Sequence, residues 1–180
     1  MKKSAGFTLV ELMIFIAIVA ILSAVAIPNI IGWLSNYRLR SAVNDLLSNM
    51  QLAKVTAIKT NSNCTVTFNQ PVTIDGITST YDYVVYEDSD NDLEYDAGEK
   101  ILDRVKLSDY KDVSFNTAQG GGDGLTFANN DEARPSIAFR SNGLSRSNSG
   151  GFGAGTAFLK NTKGKTVSIV VSSAGNIRIQ

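Results

Sequence analysis

The sequence predicts an α+β fold: one long N-terminal α-helix, with a membrane-spanning half and an amphipathic half, packed on an antiparallel β-sheet. Three observations predict it. Residues 7–27 form an apolar run in which Glu11 is the only charge. From Leu39 to Ile58 apolar side chains then recur at three- and four-residue steps. From Cys64 onward the period changes to two, with β-branched and aromatic residues set between Gly, Asn and Asp clusters.

The apolar run FTLVELMIFIAIVAILSAVAI would make a helix roughly 31 Å long, the thickness of bilayer hydrocarbon. The short leader before it, residues 1–6, carries Lys2 and Lys3. By the positive-inside rule that end stays cytoplasmic and the body of the chain is exported. An ordinary secretory signal would instead be cut after an A-x-A site, and Ala24-Val25-Ala26 offers one. The run is longer than a signal core, however, and the next thirty residues continue a helical pattern, which argues against a cut there. Pro28 and Gly32 permit a kink. Beyond them Leu39, Ala42, Val43, Leu46, Leu47, Met50, Ala53, Ala57 and Ile58 make an apolar face, opposed by Arg40, Ser41, Asn44, Asp45, Ser48, Asn49 and Gln51. The polar cluster Thr60-Asn61-Ser62-Asn63 ends the helix. Trp33 and Tyr37 suit either a membrane interface or subunit packing.

The period-two pattern marks strands at residues 65–69, 80–87, 100–105, 113–116, 136–140, 155–161, 166–172 and 176–180. Turns at 162–165 and 173–175 join the last three into a meander. Val167, Ile169 and Val171 suit the face packed on the helix, and Ile177 and Ile179 repeat the alternation. Laying the helix on the sheet buries both apolar faces at once. Residues 119–134 and 142–155 are rich in Gly, Asn and Ser and read as mobile surface linkers. Cys64, at the helix–sheet junction, reads as a small buried residue.

Composition excludes several chemistries. The 180 residues contain no His and a single Cys, so there is no His-based triad, no internal disulfide and no Cys-clustered metal centre. Seventeen Lys and Arg balance 17 Asp and Glu, which gives no global attraction to nucleic acid or anionic lipid. No nucleophile–base constellation is visible, and the chain is expected not to be an enzyme.

A carboxylate inside an apolar helix costs roughly 2.5–3.5 kcal/mol at the bilayer centre, so Glu11 calls for a partner. Gly6-Phe7-Thr8-Leu9-Val10-Glu11-Leu12, followed by Pro28, resembles the processing motif of type IV pilins and type II secretion pseudopilins. The resemblance implies a pilin-like fold and cleavage by prepilin peptidase between Gly6 and Phe7. It further implies methylation of Phe7 and pairing of Glu11 with the new terminal amine of a neighbouring subunit. An amine and a carboxylate in low dielectric stabilise one another far more than in water.

In the C-terminal part, Ser136-Ile137-Ala138-Phe139-Arg140-Ser141-Asn142-Gly143 and the ending Val170-Val171-Ser172-Ser173-Ala174-Gly175-Asn176-Ile177-Arg178-Ile179 resemble the GspH/FimT-type minor pilin domain. The implied organisation is a leader over residues 1–6, a transmembrane and filament-core helix over 7–34, and a periplasmic globular domain over 35–180. The chain would be a minor pilin or pseudopilin, held by one helix in the inner membrane and then built into a pilus or pseudopilus. Its expected partners are other pilin or pseudopilin subunits, prepilin peptidase, the inner-membrane assembly machinery and, before assembly, membrane lipid.

Two further features could carry chemistry. Residues 87–99 hold seven of the 17 acids and no Lys or Arg. Counted from Asp88, the carboxylates Asp88, Asp90, Asp92, Glu94, Asp96 and Glu99 fall at positions 1, 3, 5, 7, 9 and 12, close to the EF-hand spacing that supplies oxygen ligands to Ca²⁺. Against calcium, position 6 is Leu93 rather than Gly, and strands flank the loop. The other reading is a solvated acidic turn, with no cofactor. The second feature is basic. No Asp or Glu follows Glu132, while Arg140, Arg146, Lys160, Lys163, Lys165 and Arg178 do. A stripe containing Lys163, Lys165 and Arg178 could neutralise DNA phosphates. FimT-like DNA binders carry G-R-x-R near this end; here it reads Gly175-Asn176-Ile177-Arg178, without the first Arg, and a solvated sheet face is the alternative. Gly164-Lys165-Thr166 imitates the end of a phosphate loop, but Leu159 stands where the first Gly should be.

Overall fold

A computed structural model describes residues 7–180, with only the backbone for Pro28, Asn29 and Ile31. The helix α1 runs unbroken over Leu9–Thr60. It ends in the way the polar cluster requires. Asn61 takes φ +52°, and the Ser62 amide donates to the Ala57 carbonyl at 3.3 Å. That is the long return bond of a Schellman corner with Asn in the left-handed position.

The chain divides into two compact units, Met1–Leu34 and Ser35–Gln180. In the described part of the first, the side chains from Phe7 to Ile27 are overwhelmingly exposed, with Phe7 at 86%.

The second unit holds its own core, since every buried apolar side chain lies between Leu39 and Val171. Its strands form two antiparallel sheets rather than the single sheet expected. The strands are β1 (Asn63–Ile74), β2 (Ile77–Asp88), β3 (Ile101–Val105), β4 (Val113–Phe115), β5 (Ser136–Phe139), β6 (Ser145–Arg146), β7 (Gly155–Asn161), β8 (Thr166–Val171) and β9 (Ile177–Ile179). The first sheet has the order β3-β2-β1-β5-β6 and the second β4-β7-β8-β9. One apolar cluster joins them to the helix. Leu39, Ala42, Val43, Leu46, Met50, Ala53 and Ala57 of α1 meet Val66, Phe68, Val85 and Phe139 of the first sheet and Leu159, Ile169 and Val171 of the second. Ile58 and Ile179, expected inside, are 49% and 41% exposed because the packed face ends before them.

β1 and β2 are longer than their alternation suggests. Asp75 and Gly76, at φ +50° and +78°, form the two-residue turn between Ile74 and Ile77, an Asp-Gly hairpin signal that matches the strand twist. The segments read as mobile linkers are built into the core. Leu125 and Phe127 are buried, and the Phe127 ring stacks on Phe68 with centroids 5.2 Å apart and planes 13° apart. A Cβ at Gly155 would strike that ring, so glycine is what lets β7 pass it. In the second segment Ser145 is buried on β6 and donates to the Gly153 and Ser172 carbonyls.

Candidate functional site

The start of α1 is closed by its own side chains. The Thr8 amide and hydroxyl both donate to Glu11 Oε2, at 2.9 and 2.8 Å, and the Glu11 amide donates back to Thr8 Oγ1 at 3.2 Å. This is a capping box, which satisfies helix donors that otherwise lack partners. The T-x-x-E spacing that encodes it stands in the sequence beside the processing motif. Glu11 therefore has an acceptor role within its own chain. Of the expected cleavage pair, Phe7 is exposed, and Gly6 lies with the rest of the leader, residues 1–6, outside the described residues.

α1 is also long and apolar enough to cross a membrane, by length and composition.

The acidic loop is folded around Asp88 and Leu93. Asp88 is 1% exposed. Its Oδ1 accepts the Asn91 amide at 2.7 Å, and its Oδ2 accepts the Thr65 hydroxyl at 2.8 Å and the Leu93 amide at 3.2 Å. Leu93 is fully buried and takes φ +65°, the left-handed conformation that a Gly would adopt without strain at that position. Its carbonyl accepts from Thr67 and from Asn130. Tyr95 meets Tyr86 edge-on at 5.5 Å. The loop thus covers the face of the first sheet turned away from α1. This is why Tyr83, Val84, Val85 and Tyr86 are all buried rather than alternating.

Five of the six expected calcium positions are gathered. Carboxylate oxygens of Asp88, Asp90 and Glu99 lie within 4.8 Å of one another, as do those of Asp90, Asp92 and Asp96. Glu94 stands outside both groups. Much of this oxygen is already engaged: Asp92 accepts the Glu94 amide at 2.8 Å, and Glu99 accepts the Ser89 and Asp96 amides at 2.8 and 3.1 Å. Burial, followed by the neighbouring carboxylates, raises the Asp92, Glu94 and Glu99 carboxyls above their ordinary range, although accepted amide bonds offset part of this for Asp92 and Glu99. Strands β2 and β3 flank the loop where an EF-hand has helices. A divalent cation shared through Asp90 is what this oxygen arrangement could hold.

The expected nucleic-acid residues are not brought together. Lys163 and Lys165 sit in the β7–β8 turn, whereas Arg178 pairs in register with Val170 on β8. Val170 lies five residues along from Lys165, about 16 Å at strand rise. Arg178 also belongs to the face opposite the buried Ile169 and Val171.

Sequence reasoning missed a polar link inside the domain. Asn49, on the face read as polar, is 6% exposed and donates to Tyr83 and Asp103. A helical wheel gives no sign of this, because the partners come from β2 and β3. Cys64 is fully buried, and burial, reinforced by Glu87 and Asp88, pushes its thiol up to about 12.

Two family models match the chain. "Prokaryotic N-terminal methylation motif" covers residues 1–27, and "Type II transport protein GspH" covers residues 42–175. No curated protein and no solved structure is significantly similar to it. The matched families are structural subunits, and they do not speak to DNA binding. With a methylation motif opening an exposed apolar helix and a GspH match spanning most of the remaining chain, the protein belongs to the GspH family, a structural subunit of the pilin and pseudopilin kind.

Proposed function

We propose that the chain is a minor pilin or pseudopilin, held in the inner membrane by a single helix with its globular unit in the periplasm until it is drawn into a filament. Prepilin peptidase cuts it between Gly6 and Phe7 and methylates Phe7, so the chain is a substrate and not an enzyme. The observation that supports this reading best is the exposed, largely apolar run over residues 7–27, in which Glu11 is the only charge. Such a surface needs lipid first and neighbouring helices afterwards. Burial is worth ~0.8 kcal/mol per methylene against water, which keeps the filament core closed once lipid is left behind. Glu11 sets register during docking by meeting a neighbour's terminal amine.

The test has two parts. Mass spectrometry of the natural product should find a chain that begins at methylated Phe7; a start beyond residue 26 refutes the reading. Glu11→Ala should be cleaved normally and yet enter filaments poorly, and normal incorporation counts against the role given to Glu11.

A further inference from the structure

We propose that the cleft between α1 and strands β8 and β9 takes the acidic 87–99 loop of a second copy of this chain, so that globular units stack head to tail. Both surfaces belong to the Ser35–Gln180 unit. The cleft measures about 480 Å³ and is lined by Arg40 and Val43 of α1, Lys165 of the β7–β8 turn, Val167 of β8, and Ile179 and Gln180 at the end of β9. Buried Asn161 shapes that turn: its Oδ1 accepts the amides of Lys163 and Lys165 at 3.1 and 3.0 Å, and its Nδ2 donates to Asn36 Oδ1 at 3.0 Å. Arg40 and Lys165 are exposed, and neither forms an ion pair among the described residues. The Gln180 carboxylate is engaged by the Ser168 amide at 3.0 Å instead.

The loop carries the opposite deficit. Asp90 and Asp96 are exposed and accept no hydrogen bond among the described residues, whereas Asp88, Asp92 and Glu99 bind amides of their own loop. The cations that reach this end do not balance it. Lys100 is paired with Glu87 at 2.6 Å, Arg134 with Glu132, and Arg146 donates to the Asn91 carbonyl. A loop tip set into the cleft of another copy gives Arg40 and Lys165 the carboxylates they lack at home and relieves repulsion within the loop. Two cations beside a wall of Val43, Val167 and Ile179 suit such a tip better than a phosphate backbone, which asks for a longer row of cations.

The two surfaces stand at opposite ends of the packed helix. Asp88 is in register with Asn63, just past the end of α1 at Thr60. The cleft takes Arg40 and Val43 from the other end of the helix in this unit. From Val43 to Thr60 the helix rises about 26 Å. A contact between two different surfaces so placed does not make a two-fold pair; it repeats from copy to copy in one direction. Exposed ion pairs are individually weak, so the contact forms between copies already concentrated in one membrane or filament. To that extent it rests on the anchored-subunit reading.

The test uses the full chain in membranes of producing cells, with Ser89→Cys at the loop and Asn44→Cys on the cleft wall. Both positions are exposed, and Cys64 is buried and stays unlabelled. A short bismaleimide, too short to join the two sites within one chain, is added with EDTA to exclude metal bridges. The double variant should give a ladder of cross-linked copies that fades at high salt, while each single variant stays monomeric. Arg40→Glu/Lys165→Glu should weaken the ladder several-fold, and adding Asp90→Lys/Asp96→Lys should restore it. A ladder that survives the reversal, or a cross-link in a single variant, overturns the proposal. Reversal without rescue also overturns it and assigns the cleft to another partner, as does a ladder lost to nuclease. Alkaline extraction of the same membranes separates the two readings: a chain that washes off refutes the anchor, and one that stays without a ladder refutes only the contact.

Discussion

Asn49 on α1 donates its side-chain amide to Asp103 Oδ2 on β3 at 2.7 Å and to the Tyr83 hydroxyl on β2 at 3.2 Å. The Tyr83 hydroxyl in turn donates to Asp45 Oδ2, one helical turn before Asn49, at 2.9 Å. Two points of the helix are thereby fixed to adjacent strands, which sets its register over the first sheet. Asn49→Leu leaves a tyrosine and a carboxylate short of a partner in a part-buried site, at a cost of about 1–3 kcal/mol. Urea unfolding of the Ser35–Gln180 unit should show that loss, and an unchanged midpoint would mean that water replaces the link.

The capping box gives Glu11 two separable roles. Glu11→Gln keeps an oxygen for the Thr8 amide and hydroxyl but carries no charge, whereas Thr8→Val keeps the charge and breaks the box. If pairing with a neighbour's amine drives assembly, the Gln variant should enter filaments as poorly as Glu11→Ala, while Thr8→Val retains most incorporation. The opposite order, scored by immunoblot of sheared filaments, would make Glu11 a helix cap only.

In the acidic loop the carboxyls of Asp92, Glu94 and Glu99 are raised, by burial first and by like charges next. Their folded forms hold protons more tightly than their unfolded forms, so they cost stability as pH rises through the window between the ordinary and raised values, and above it. Asp92→Asn keeps an acceptor for the Glu94 amide and removes one charge. It should raise Tm at neutral pH by about 2 °C, with no gain below the carboxylate range; a lower neutral Tm would contradict the repulsion.

Calcium is tested on the same loop. Added Ca²⁺ should raise Tm of the native chain and not that of Asp90→Ala/Asp92→Ala, because Asp90 belongs to both carboxylate groups. Identical melts with and without Ca²⁺ would leave the turn to its internal hydrogen bonds and to the packing of Leu93 and Tyr95.

With its thiol pushed up to about 12 by burial, Cys64 should resist iodoacetamide in the folded chain and react at once in denaturant. Labelling of the native protein at neutral pH would show that the helix–sheet corner opens.

Much of the architecture could be read from periodicity. The seven apolar helix residues from Leu39 to Ala57 that are buried share one stripe, and β7 and β8 alternate as half-buried strands should. Periodicity fails where burial comes from long-range partners. Tyr83–Tyr86 does not alternate because Tyr95, from a loop that is acidic by composition, and Ile101 pack on its second face. Phe127, isolated in a Gly- and Asn-rich stretch, finds Phe68 only after β1 is placed. Two sheets arise in place of one because β4 pairs with β7 rather than with β3, a choice invisible in local pattern. At the functional end, Glu11 is legible as an anomalous charge, whereas its capping by Thr8 is carried by the T-x-x-E spacing alone. The Asn36–Asn161 pair, 125 residues apart, has no local signature at all.

The Asn61 corner has a mechanical consequence. It hands the chain directly from α1 to β1, the central strand of its sheet, which is hydrogen-bonded on both sides over Cys64–Thr67. A pull that reaches the corner through the chain therefore acts on a strand bonded on both sides, so the ladders to β2 and β5 share the load.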